Sequence, residues 1–157
     1  MSNLDQPKPQ KKLPQKLIDL VSDIGENAVL FHIYSRIHAT GWQAFKNLDE
    51  SGCDIVVLNR KTDRLLKIEV KTRQSLYTTA FSKKTEGKRQ FEVSLNEFRE
   101  MDLLICYWFD FNAYFIIPKE EINEGNRKVI IRHGKNGGFG DRDKYLNNWD
   151  NLIKLMQ

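Results

Sequence analysis

The sequence predicts an α/β domain built on a central mixed β-sheet flanked by helices. Three features of the 157-residue chain indicate this class. Apolar residues recur at three- and four-residue intervals after residue 16, which is typical of one face of a helix. Short runs rich in β-branched residues follow at 55–58 and 65–70, and the run at 103–109 is apolar on both alternating faces. The order of helix, strands, helix and further strands favours one sheet covered by helices.

Composition indicates a single globular domain. Hydrophobic residues make up 40% of the chain and charged residues 29%, and the length is sufficient to bury one core. Residues 1–15 contain three prolines and few apolar side chains, so we expect a disordered basic arm there and one domain over 16–157. No apolar run reaches the ~20 residues of a membrane span, and no signal peptide is recognisable. We therefore expect a cytoplasmic protein with no membrane partner.

The first helix is expected from residue 16, with its apolar side chains on one face. These side chains are Leu17, Leu20, Val21, Ile24, Ala28 and Phe31. Asp23, followed three residues later by Glu26, has the spacing of a capping box that restarts a helix, and Gly41 is placed to end it. In that interpretation Glu26 lies in a first turn, where the helix dipole favours a carboxylate. The local sequence leaves both capping and a role in a site open for Glu26.

Residues 52–73 predict a β-hairpin that carries acidic side chains. Its two β-branched runs are joined by the turn-forming residues 59–63. Because strand side chains alternate between faces, Glu69 and Lys71 share the face opposite the core positions. Asp54 opens the partner strand, where the turn length brings it towards Glu69. Two carboxylates and a lysine on one patch of sheet suit Mg²⁺ beside a phosphate, although ordinary ion pairs on a solvated strand are the alternative.

The rest of the chain continues the alternation of strands and helices. Short strands are expected at 42–45, 91–95, 113–117 and 129–132, a helical turn at 96–101, and a final helix from about Arg142. Residues 82–90 lack hydrophobic periodicity and predict a mobile loop beside the candidate site. The Gly-rich stretch after His133 lacks the Gly-Lys-Ser/Thr ending of a phosphate loop, so we expect a flexible connection there.

Three short motifs carry the acidic residues: Gly25-Glu26, Gly52-Cys53-Asp54 and Glu69-Val70-Lys71. Together they resemble the PD-(D/E)XK nuclease superfamily, in particular its small Holliday-junction-resolvase-like members with a restriction-endonuclease-like fold. The resemblance covers residues 23–73 well and the remainder loosely. Cys53 stands where the name of the motif has proline.

The resemblance implies a Mg²⁺-dependent endonuclease that hydrolyses phosphodiester bonds in DNA, with Mn²⁺ as a substitute. It implies that the Asp54 and Glu69 carboxylates and the Val70 carbonyl hold the metal. Because Asp54 and Glu69 lie on adjoining strands, we expect their carboxylates on the order of 4–6 Å apart. Lys71 would orient or deprotonate the attacking water, and Glu26 would position the water or a second ion. Two alternatives are an inactive nuclease fold that binds or assembles on nucleic acid, and an interaction module with a solvated acidic patch.

Clustered basic residues predict where DNA binds. The net charge is only +4, but lysine and arginine gather in the N-terminal arm and just after the candidate site. The expected nucleic-acid-binding residues are Arg73, Gln74, Tyr77, Lys83, Lys84, Lys88 and Arg89. A solvated loop surface is the alternative for each cluster. Because cutting both strands of a duplex requires two sites, we expect a homodimer or a dimer of dimers, with contacts around Phe111 and Trp149.

Overall fold

The computed structural model of the chain describes residues 14–49, 52–74, 89–94, 100–122, 128–134 and 137–157. Its helices are α1 (Gln15–Ile37) and α2 (Asp150–Met156). Its strands are β1 (Trp42–Lys46), β2 (Ile55–Asn59), β3 (Arg64–Arg73), β4 (Arg89–Ser94), β5 (Leu103–Trp108), β6 (Ala113–Pro118) and β7 (Lys128–His133). In this part of the chain no helix is long and apolar enough to cross a lipid bilayer.

Five of the strands form the central sheet, in the order β1-β2-β3-β5-β6. The β3–β5 pair is parallel and the other three pairs are antiparallel, so the predicted mixed sheet is confirmed. β4 and β7 pair with each other in a separate antiparallel sheet, which the sequence did not predict. Both were expected as strands, but their sequences do not reveal the partner, because pairing across distant segments leaves no local pattern.

The central sheet separates two hydrophobic cores. On one face, Val70 and Ile105 pack in a cluster with Ile33 of α1 and Leu152 of α2. Alternate residues of β5 and β6 face the other way, where they pack with the β4–β7 sheet. Glu69 lies in register with Leu104, a member of that second cluster. Glu69 and Lys71 are therefore on the face opposite α1, as strand alternation predicted.

Helix α1 is one continuous helix through Asp23 and ends at Ile37. The predicted restart at Asp23 is therefore wrong, and Glu26 lies well inside the helix, where it cannot cap a first turn. Gly41 lies beyond the end of the helix, directly before β1. The capping interpretation of Glu26 is thus excluded.

Most of the apolar face predicted for α1 does not pack on the sheet, although Ala28 of that face lies against the core. The buried residues recur every fourth position: Gly25, Val29, Ile33 and Ile37. Four of the six residues named for the apolar face are exposed: Leu17, Leu20, Ile24 and Phe31. The helix carries two apolar stripes. The stripe that contains Gly25 packs on the sheet, because it allows the closest approach of the helix to the strands.

The C-terminal segment is not the single helix expected from Arg142. A 3₁₀ helix at Gly140–Tyr145 ends before Asn147, whose backbone is left-handed with φ of 50°. Asn147 donates its N–H to the Tyr114 carbonyl and accepts the Tyr114 N–H through its side chain. These bonds to β6 interrupt the helix, so α2 begins only at Asp150.

The two aromatic residues named for the expected subunit contacts differ in burial. Trp149 is buried in the core beneath α1 and stacks on His32. Phe111 packs edge-on against Trp108 and stacks with His133. Trp149 thus belongs to the core, whereas Phe111 is only partly buried. A subunit contact through either segment stays a prediction.

Gly25 sets the distance between α1 and the sheet. A side-chain carbon added at Gly25 would overlap the Oγ1 atom of Thr72 in β3, so only glycine fits. Thr72 is itself buried, and its hydroxyl has no hydrogen-bond partner among the described residues. This close approach brings the neighbouring Glu26 to the edge of the sheet.

We predict that Gly25→Ala lowers the free energy of unfolding by about 1–3 kcal/mol, because overpacking must push the helix away from β3. Urea unfolding followed by circular dichroism measures the change. Asp19→Ala, on an exposed position of the same helix, should change the free energy by less than about 0.5 kcal/mol. Equal stability of Gly25→Ala and wild type would contradict this account of the packing.

Candidate active site

Asp54 connects the beginning of β2 to the middle of β3. Its N–H donates to the Ile68 carbonyl at 3.0 Å, and its Oδ2 accepts the Val70 N–H at 2.7 Å. The pairing of β2 with β3 ends at Ile55 and Ile68. The Asp54 carboxylate therefore accepts the β3 hydrogen bond that a further backbone partner in β2 would otherwise accept. Among the residues that the structure describes, Val70 is the one hydrogen-bond donor to this carboxylate. Its second oxygen is therefore able to bind a cation.

The Val70 carbonyl is directed to the same side of β3 as its N–H, towards Asp54. This follows from strand geometry, in which both polar groups of one residue face the same neighbour. Lys67 illustrates the opposite orientation, because its N–H and carbonyl both bond Asp102 next to β5. The residues alternate along β3, so Val70 presents a carbonyl oxygen beside the Asp54 carboxylate.

Glu69 and Lys71 form an ion pair on the second face of β3. The Lys71 ammonium lies 2.8 Å from Glu69 Oε1. Glu69 is buried, with 8% of its surface exposed. The free-energy cost of removing two charges from water cancels most of the free energy gained from their attraction. A buried ion pair is therefore a weak source of stability. The strand positions both groups directly next to Val70.

Glu26 reaches the same region from α1. Its Oε2 lies 3.0 Å from the ammonium of Lys46, the last residue of β1, and Asp23 lies 3.3 Å from the same ammonium. Asn47, the next residue, donates its N–H to the Asp54 carbonyl at 2.8 Å. Hydrogen bonding to Glu26 raises the pKa of Lys46, which keeps the ammonium charged. Lys46 thus links the helix carboxylate to the strand that leads to Asp54.

Lys46 is absent from the residues that the sequence predicted for this site. The expected first strand stopped one residue earlier, at 45. A signal was present, because an antiparallel β1–β2 pair brings the end of β1 opposite the start of β2. The residue at the end of β1, Lys46, could therefore have been expected near Asp54, which directly precedes β2.

Burial raises the pKa of Asp54 above the ordinary aspartate value. The hydrogen bond from Val70 lowers the pKa, the negative charge of Glu26 raises it, and the charges of Lys71 and Lys46 lower it. These three charged side chains therefore lie within electrostatic range of Asp54. The net effect disfavours the ionised carboxylate, and a cation bound there would favour it.

The structure joins most of the predicted catalytic residues through β3. Asp54 bonds to Val70, Lys71 pairs with Glu69, and Glu26 acts on Asp54 through its charge. In the described ranges no group of three or more His, Cys, Asp or Glu side chains is arranged to hold a metal. Two carboxylates and one carbonyl are hard oxygen donors and suit Mg²⁺, which retains several waters. The 4–6 Å separation of the carboxylates stays a prediction.

The predicted nucleic-acid-binding residues are only partly described. Arg73 is exposed at the end of β3, whereas the side chain of Gln74 is buried. Arg89 begins β4, opposite His133. Tyr77, Lys83, Lys84 and Lys88 lie outside the described residues, as does most of the segment expected to be a mobile loop. Contact between these residues and DNA stays a prediction.

The five-stranded mixed sheet, with α1 on one face and a small sheet on the other, is a nuclease-like α/β fold. A solved structure with this fold is that of a bacterial homing endonuclease, I-Ssp6803I, which matches with a TM-score of 0.63. The match covers 87% of this chain and 91% of that chain at 16% sequence identity, and it shows the fold. No protein-family profile and no curated protein sequence matches the chain. Membership of the PD-(D/E)XK superfamily itself stays a prediction.

We predict opposite effects on stability for two substitutions of Asp54. Asp54→Ala leaves the Val70 N–H without its acceptor, which costs about 1–3 kcal/mol of unfolding free energy. Asp54→Asn keeps an oxygen acceptor and removes the disfavoured charge, so at neutral pH it should be at least as stable as wild type. Urea unfolding of the three proteins tests the order.

The pH dependence has a definite sign. The folded-state pKa of Asp54 is raised, so ionisation favours the unfolded chain and the penalty develops as pH rises above the ordinary value of 3.8. Any advantage of Asp54→Asn over wild type should therefore vanish below that pH. An advantage that grew on acidification would contradict the assigned shift.

Proposed function

We propose that this protein is a metal-dependent endonuclease that hydrolyses phosphodiester bonds in DNA. The observation that carries the proposal is the Asp54 carboxylate bonded to Val70 between the two members of the Glu69–Lys71 ion pair along β3. The nuclease-like fold supports it, because the matching solved structure is that of a homing endonuclease. In this proposal the acidic patch is a metal site in an enzyme, not a solvated surface.

Charge energetics support a functional reason for these residues. The fold buries Glu69 with Lys71, although an apolar pair of similar size would serve stability as well or better. It also keeps Asp54 where burial raises its pKa. Groups held under such conditions in one location are typical of functional sites.

The chain's own residues would divide the work as follows. The Asp54 and Glu69 carboxylates and the Val70 carbonyl would hold Mg²⁺ or Mn²⁺. When bound, the cation would stabilise negative charge on the reacting phosphate and lower the pKa of a coordinated water. Lys71 would orient the attacking water through the N–H groups of its ammonium, which pairs with Glu69, or would deprotonate that water as the neutral amine.

Glu26 and Lys46 have a supporting role in the proposal. Glu26 would position the water or a second ion from the helix side of the sheet. Its ion pair with Lys46 offsets part of the negative charge that Glu26 places near Asp54. Removing Lys46 would therefore increase the repulsion between the two carboxylates.

The first test of activity uses supercoiled plasmid and a synthetic four-way DNA junction, incubated with Mg²⁺, Mn²⁺ or EDTA. We predict cleavage with either metal and none with EDTA. Asp54→Asn should reduce cleavage by at least about 100-fold, because the charge that holds the metal is lost. DNA affinity should be kept or increased, because a negative charge near the phosphates is removed. Wild-type protein that binds duplex DNA but cuts no DNA or RNA substrate would favour the inactive nuclease fold.

A second test distinguishes a specific role of Lys71 in cleavage from a general effect of lysine charge. Lys71→Ala should abolish cleavage, because the group that orients the water is missing. The matched control is Lys67→Ala, since Lys67 lies on the same strand and face but pairs with exposed Glu100 at 3.1 Å. The control should keep near wild-type cleavage, and unfolding curves establish that both variants are folded. Equal cleavage by the two folded variants would remove Lys71 from the mechanism.

A further inference from the structure

Helix α1 exposes an apolar stripe on the side that faces away from the sheet. We call this stripe the α1 seam, and its residues are Leu17, Leu20, Ile24, Phe31 and Tyr34. Their side chains are between 46% and 70% exposed. The residues that pack on the sheet, from Gly25 to Ile37, occupy the opposite side of the same helix. Within the part of the chain that the structure describes, the seam is therefore left largely exposed, although it is strongly apolar.

The residues of the seam have the spacing that is typical of helices that pair in a coiled coil. Leu17, Ile24 and Phe31 are seven residues apart, and Leu20 and Tyr34 are the intermediate positions of the same heptads. These are the a and d positions of a coiled-coil repeat with a period of 3.5 residues. The sheet-facing residues recur every four positions instead. The two periods are distinct, so packing on the sheet does not explain the seam.

We propose that the α1 seam joins two copies of this chain, with their α1 helices antiparallel. In this arrangement Leu17 meets the second copy's Tyr34, and Leu20 meets its Phe31. These outer layers then combine one smaller aliphatic side chain with one aromatic side chain, so they have similar volumes. In a parallel pair, each aromatic residue would meet the same residue of the second copy, and all the aromatic side chains would lie at one end. The antiparallel arrangement also opposes the two helix dipoles favourably.

Asn27 occupies the remaining d position of the seam and is exposed. The antiparallel register puts it against the second copy's Ile24. A parallel pair would instead bury Asn27 against itself. A single polar residue in such a seam specifies register at some cost in stability, which suits one defined pairing.

The seam is large enough for a specific but modest dimer. At about 200 Å² for each fully exposed side chain, the measured exposures correspond to roughly 500 Å² for each copy. The pair would bury at most about 1,000 Å², which is near the lower limit for a specific interface. Glu26 lies on the same helix, but on the flank that reaches Lys46. Pairing through the seam therefore leaves the candidate active site uncovered.

The molar mass in solution tests the proposal, by sedimentation velocity over a range of protein concentrations. Wild type should show a concentration-dependent dimer. The double variant Ile24→Lys with Phe31→Lys should have half that mass and an unchanged circular dichroism spectrum, because both side chains are exposed in one copy. Asp19→Lys is the matched control, since it adds the same kind of charge to α1 outside the seam and should keep the dimer. A monomeric wild type, or a double variant that remains dimeric, overturns the proposal.

Cross-linking tests the direction of the helices, in a Cys53→Ser background because Cys106 is buried. Leu17→Cys combined with Tyr34→Cys should form an intermolecular disulfide under mild oxidation, since the antiparallel register brings those positions together. Leu17→Cys alone should not, because two such residues would lie about 25 Å apart along the helix pair. A covalent dimer of the single variant would contradict the antiparallel arrangement.

Discussion

The hydrogen bond between the Val70 N–H and the Asp54 carboxylate is the interaction on which the candidate site depends. It replaces a strand partner at the point where the β2–β3 register ends, and so fixes an acidic side chain beside a strand edge. The same edge carries the Val70 carbonyl, and the neighbouring residues on β3 carry the Glu69–Lys71 ion pair. Three oxygen donors and an ammonium group are thereby positioned by a few residues of backbone. Gly25 adds the third acidic residue, because its lack of a side chain allows α1 to bring Glu26 to this edge.

The electrostatics of the site are a compromise between stability and binding. Burial raises the pKa of Asp54, and the charge of Glu26 adds to the effect, while Lys46 and Lys71 only partly offset it. A sequence selected for stability alone would favour a neutral side chain at Asp54. The arrangement is explained more simply if a cation completes the site, since it would favour every carboxylate in it. The α1 seam is a comparable feature, an apolar stripe that costs solubility unless a second copy covers it.

Much of the fold and of the site was predictable because the signals are local. The β-branched runs on either side of the turn defined β2 and β3, and alternation along β3 assigned Glu69 and Lys71 to one face. Features that depend on tertiary contacts were missed. The sequence alone could not decide which apolar stripe of α1 packs on the sheet, because either spacing is compatible with a buried helix face and the fit of Gly25 against Thr72 is a tertiary contact. The pairing of β4 with β7, and the interruption of the last helix by Asn147 bonding to Tyr114, likewise arise between distant segments.

The central claim is that Asp54, Glu69 and the Val70 carbonyl form one metal site, and anomalous X-ray scattering from crystals soaked in Mn²⁺ tests it most directly. Mn²⁺ has the same preference for oxygen ligands as Mg²⁺ and gives a signal that locates the ion without reference to activity. The account predicts an anomalous peak within roughly 2.0–2.3 Å of both carboxylates and the carbonyl oxygen. A saturated crystal with Mn²⁺ bound elsewhere and no peak beside Asp54 would contradict the account.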